Sequence, residues 1–98
     1  MGKYLMLWEM DLTKFPISPK ERGAAYVAAM KMVMADLKKG ALKDWGAFVG
    51  EHHGYAIVEG TELEVENLVE KYTPQVIFKV HPIASADNVV QVSKALAK

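Results

Sequence analysis

The sequence predicts one α+β domain, with a four-stranded antiparallel sheet, two helices on one face of it and a short helix at the C-terminus. Three features carry that reading. Strand-like and helix-like segments follow one another as β-α-β-β-α-β. Both long helices open on capping signals. No repeat, linker or low-complexity run breaks the 98 residues, so residues 1–98 read as a single domain.

Lys3–Met10 is almost wholly apolar or aromatic and too short for a stable helix, so it reads as a strand buried on both faces. Leu5 and Leu7 point one way, Tyr4, Met6, Trp8 and Met10 the other. Two prolines mark Asp11–Pro19 as a loop. Ser18 as cap, Pro19 at the first helical position and Glu21 completing a capping box then start a helix. Its apolar stripe is Tyr26, Val27, Met30, Val33, Met34 and Leu37, with Met30 and Met34 in the core and Met32 on the surface. Lys38 and Lys39 favour its C-terminal dipole, and Gly40 stops it.

Leu42–Glu51 reads as a second strand at a sheet edge, with Trp45, Ala47 and Val49 on one side, Phe48 on the other, and Gly46 and Gly50 weakening it. His52-His53-Gly54 is expected to turn into a third strand, Tyr55–Glu59, ended by Gly60. Thr61 and Glu64 form a second capping box, opening a helix through Leu63, Leu68, Val69 and Tyr72 that Pro74 closes. Gln75–Ile83 is the fourth strand, with Val76, Phe78 and Val80 facing one way and Ile77, Lys79 and His81 the other. Ser85 or Asp87 caps a last helix carrying Val89, Val92 and Leu96.

This element order is the split βαβ pattern of ferredoxin-like folds. Two helices cover only one face of such a sheet, yet the first strand, central in the expected order, is apolar on both. Tyr4, Met6, Trp8 and Met10 cannot all stay wet beside buried Leu5 and Leu7, and the third strand extends the problem through Tyr55 and Ile57 or through Ala56 and Val58. An exposed apolar sheet face marks an interface or a ligand groove, and a second copy packed sheet to sheet would cover it. The alternative is that the terminal helix folds across the open face.

The stretch Gly54-Tyr55-Ala56-Ile57-Val58-Glu59, followed by a capped helix, resembles the third strand of small dimeric α+β barrel proteins. Phe78-Lys79-Val80-His81-Pro82-Ile83 and the helix after it look like the closing segment of an uncharacterised family, a domain of unknown function, in that superfamily. The resemblance spans nearly the whole chain by element order. It implies a homodimer whose two sheets enclose a small cavity. Relatives in the superfamily include cofactor-free monooxygenases, haem-degrading enzymes, muconolactone isomerases and ligand-sensing domains. No catalytic signature of these matches residue by residue, so the resemblance speaks to fold and leaves the chemistry open.

Composition narrows the partners. Twelve basic residues balance twelve acidic ones, which gives no electrostatic footprint for nucleic acid or an anionic membrane. There is no cysteine, hence no disulfide, thiolate ligand or cysteine nucleophile. No stretch nears the ~20 apolar residues that span a bilayer, and the N-terminus meets an acid, Glu9, too soon for a signal peptide. A cytoplasmic protein is expected. Phosphate-loop, dinucleotide and nucleophile-elbow motifs are absent.

Catalytic candidates are His53 and His81, since imidazole titrates near neutral pH. Against them stands an exposed polar turn for His52 and His53, whose spacing suits no metal site; neither metal nor cofactor is expected. Trp8 and Trp45 could wall an aromatic ligand or simply pack. Lys79 and His81 could line a cavity or its solvated rim, and Tyr55 and Glu59 share the candidate face. The expected function is small-molecule binding in a sheet-lined cavity of a dimer. Two alternatives stay open: a cofactor-independent monooxygenase or isomerase using His53 or His81 as proton shuttle, and a structural or regulatory subunit without ligand.

Overall fold

The computed structural model describes residues 2–98. Strand β1 (Gly2–Met10) is followed by a single 3-10 turn (Leu12–Lys14), helix α1 (Pro19–Lys39), strands β2 (Asp44–Ala47) and β3 (His53–Gly60), helix α2 (Glu62–Tyr72), strand β4 (Val76–Ile83) and helix α3 (Ala86–Leu96). The strands form one sheet in the order β2-β3-β1-β4, every neighbouring pair antiparallel. β1 is therefore central, as expected. No helix among the described residues is long and apolar enough to cross a membrane.

Helices α1 and α2 close over one face, and the core lies between them and the sheet. Met6, Ala56 and Val58 from the strands meet Val33, Val65, Leu68 and Tyr72 from the helices, with Leu42 from the α1–β2 connection. Val76, Phe78 and Val80 pack against the same core, as their alternation predicts.

The polarity of β1 is the reverse of the expected one. Met6 and Trp8 are buried beneath the helices, whereas Leu5 and Leu7 lie half-buried on the open face. The register gives the reason. Leu5 and Leu7 share their side of the strand with Lys3 and Glu9, and their partners on β4 are His81 and Lys79. Burying that side under helices would strand four polar groups.

Other elements shift more modestly. β2 is four residues, with Phe48–Glu51 left outside it, and β3 begins at His53, so that His53 and Gly54 are strand rather than turn. Ser18 occupies the α1 cap position without a side-chain bond, and its capping box with Glu21 does not form. Met34 on the expected stripe is 60% exposed and Val27 57%, while Met32 packs against the core. On α2 it is Val65, not Leu63, that is buried. The Thr61–Glu64 capping box does form, with both reciprocal bonds made, and Ser85 rather than Asp87 caps α3. Gly40 ends α1 at φ 83°, the left-handed geometry that costs glycine least.

A buried carboxylate ties the two covering helices together. Asp36 on α1 is fully enclosed. It accepts from the Tyr72 hydroxyl at 2.6 Å and from the Lys71 ammonium, both on α2, and Lys39 stands 3.4 Å away. Burial pushes its pKa up, but the bonds from Lys71 and Tyr72 and the charge of Lys71 outweigh this and hold the carboxyl below its usual value. Burial and the bond to Asp36 in turn push the Tyr72 hydroxyl well above the ordinary tyrosine range.

Tyr72→Phe is expected to cost about 2 kcal/mol, as for a hydrogen bond to a buried charge. Asp36→Ala, which leaves two donors without their acceptor, should cost about 3 kcal/mol in urea unfolding. Because the folded pKa lies below the ordinary value of about 3.9, the Asp36 contribution is complete above about pH 5 and lost as pH falls through the folded value. Asp36→Asn should flatten that acid limb; an acid profile identical to wild type would show that the clamp contributes nothing.

Candidate functional site

Between the sheet and α1 the core does not close. A cavity of about 250 Å³ remains, floored by Met6, Trp8, Ala56 and Phe78, roofed by Tyr26, Ala29, Met30 and Val33, and flanked by Trp45. Its exposed liners are Met30, Ala47 and Glu51, which mark the mouth. Glu51 is the one charged side chain in the lining. Such a chamber forfeits the dispersion contacts of a packed core and regains them when an apolar guest fills it.

The aromatic wall is built by close backbone approach. Trp8 and Trp45 stack with ring centroids 5.3 Å apart and planes 9° from parallel. The Trp8 indole lies across Gly54 on the neighbouring strand and donates its Nε1–H to the Tyr55 carbonyl at 3.2 Å. A Cβ at residue 54 would stand 2.3 Å from the indole and 2.1 Å from the Gly46 carbonyl oxygen, so only glycine admits the ring there. The polar edge of Trp8 is thus satisfied and its face is left to the chamber. The Tyr72 hydroxyl is likewise engaged, by Asp36.

The remaining expected site residues lie on the other side of the sheet. His53 stands between two carboxylates, Nε2 3.3 Å from Glu9 and Nδ1 3.6 Å from Glu51. The bond to Glu9 raises its pKa above the usual imidazole value; burial opposes the rise, and Glu51 adds to it. The Tyr55 hydroxyl donates to Asp44 at 2.7 Å, and this bond above all pushes its pKa up. Glu59 pairs in register with Lys3, Lys79 with Leu7, and His81 with Leu5. Trp8 and Trp45 therefore meet in the cavity, while His53, Tyr55, Glu59, Lys79 and His81 belong to the open face. Among the described residues no cluster of three His, Asp or Glu side chains could hold a metal ion.

Several liners carried no sequence signal of a site. Phe15 comes from the proline-rich loop, and Tyr26 and Met30 from a stripe that reads as plain core. Gly54 reads from sequence as part of a turn, whereas it is the strand position across which the Trp8 indole lies. No protein-family model matches the chain, and no curated protein matches it in sequence.

The stacked indoles should give an exciton couplet in the far-ultraviolet circular dichroism of the native chain. Trp45→Phe should abolish it while the helical signal persists, and Gly54→Ala should weaken it together with stability. A couplet that survives Trp45→Phe would contradict the stack.

Proposed function

We propose that the chain is a ferredoxin-like domain of the dimeric α+β barrel type, and that it binds a small, flat, apolar molecule in the chamber beneath α1. The observation that carries this is the chamber's lining: stacked indoles, methionines and aliphatic side chains, with a single carboxylate at the mouth. The strand order supports the ferredoxin-like reading. The half-buried Leu5, Leu7, Tyr55 and Ile57 on the open face support pairing with a second copy.

Indole faces and thioethers favour aromatic guests over aliphatic ones of the same volume. Glu51 at the mouth disfavours anionic ones and suits a guest with one polar or cationic end. A monooxygenase or isomerase using His81 as proton shuttle would have to work at the open face, whereas His53 stands 3.6 Å from Glu51 at the chamber mouth without lining the chamber.

Naphthalene is a suitable probe, with ten carbons in one plane. It should quench or shift the tryptophan fluorescence with a dissociation constant on the order of 10 µM, the affinity that ten well-buried carbons can supply. Ala29→Phe places a ring in the chamber from α1 and should weaken binding at least tenfold without loss of thermal stability. Equal affinity in this variant would place the binding elsewhere.

A further inference from the structure

Helix α3 is exposed along its whole length, including Val89 (54%), Val92 (61%) and Leu96 (82%). It does not fold across the open face. The molecule measures 62 × 26 × 19 Å with a radius of gyration of 16.5 Å, against about 13 Å for a compact chain of this length. The longest element, α1, spans only ~32 Å, so the long axis requires an element lying beyond the body. The accessible surface is 7106 Å², about 1,500 Å² more than a compact monomer of 10.9 kDa exposes. That excess is what one chain contributes to a large, stable dimer interface.

The excess has two poles. α3 leaves the sheet after Ile83, at the end where Ile83 pairs with Lys3. At the opposite end, past Met10, an open, mainly apolar groove of about 440 Å³ is formed by Leu12, Phe15, Pro16, Ile17 and Tyr26, with Arg22 and His52 also in its lining; Ile17 is 92% and Leu12 46% exposed. Phe15 and Tyr26 line both this groove and the chamber. An amphipathic arm at one end and an apolar groove at the other cannot meet within one chain of these dimensions.

They meet between two chains if the second copy is turned end for end. A two-fold axis crossing the strands along the row Ala56–Met6–Val80 sets residues equidistant from that row against one another. Leu5 then faces Leu7, Ile57 faces Tyr55 and Ile83 faces Ile77. Lys3 faces Glu9, and Glu59 faces His53. Lys79 faces His81, whose imidazole can accept from the ammonium. A two-fold axis running along β1 instead would set Lys3 on Lys3 and Glu9 on Glu9. The charges of the open face are therefore self-complementary in the reversed arrangement.

We infer that two chains pack open face to open face with strands reversed, and that α3 of each lies in the Leu12–Ile17 groove of the other, beside the chamber wall formed by Phe15 and Tyr26. This rests on the pairing proposed above and adds to it the direction of packing and the place of the arm. Each arm then packs against Phe15 and Tyr26, the two side chains that groove and chamber share.

The absence of cysteine makes the test direct. Ile17→Cys is combined in turn with Val89→Cys, Val92→Cys and Leu96→Cys, and the oxidised products are read on denaturing gels and by peptide mapping, with the native mass from light scattering. At least one pair should give a covalent two-chain species joined through residue 17 and α3, absent from each single variant. A disulfide within one chain would overturn the inference, since the arm would then fold back on its own body. A native two-chain mass with no link from any of the three pairs would overturn the arm exchange and leave the sheet pairing standing. A native one-chain mass would overturn both.

Discussion

A central strand that is apolar on both sides, in a sheet whose helices reach only one, is the constraint from which the rest of this structure follows. The helix side of β1 is settled by the polar groups on the other side, Lys3 and Glu9 with Lys79 and His81 of β4. Met6 and Trp8 floor the chamber beneath α1, and Gly54 and Ala56 on the adjacent strand are small enough to let the indole lie flat. The other side carries Leu5 and Leu7 among Lys3, Glu9, Lys79 and His81. That mixture is too apolar for open water and too charged for a core. It has the character of an interface, apolar at the centre and polar at the rim.

The covering helices are joined to each other at one buried point. Asp36, Lys71 and Tyr72 fix α1 against α2 through a carboxylate with no exposed surface. Tyr72 joins two roles, because its hydroxyl belongs to this clamp while its ring lines the chamber and lies edge-on to Phe78. The clamp can hold the roof at its height even though the chamber beneath it is not filled by side chains. A core that leaves about 250 Å³ open gives up packing energy.

Element order, strand centrality and the facing of β4 were legible in the sequence, because each rests on a strong local signal. The Thr61–Glu64 box and the Val76-Phe78-Val80 alternation are of this kind. The facing of β1 was not, since alternation alone cannot choose between two apolar sides. The deciding information lay in the flanking charges Lys3 and Glu9, and in the same parity of Lys79 and His81 across an antiparallel register. A serine before a proline offers a cap, but the Ser18 hydroxyl makes no such bond here. The Asp36 clamp joins residues 35 and 36 positions apart. Its only local sign is an acid three residues after Val33 and next to Leu37 on the buried side of a helix. The chamber itself is a property of how elements of different length meet, and no single segment encodes it.

The most direct test of a two-chain sheet interface is the dependence of thermal stability on protein concentration. A dimer that unfolds to separate chains loses about 3 °C in Tm for each tenfold dilution, whereas a monomer loses none. The native chain is expected to show that slope, and Leu7→Lys to lose it with the fold retained. A Tm independent of concentration in a native chain that sediments as a folded single subunit would contradict the interface.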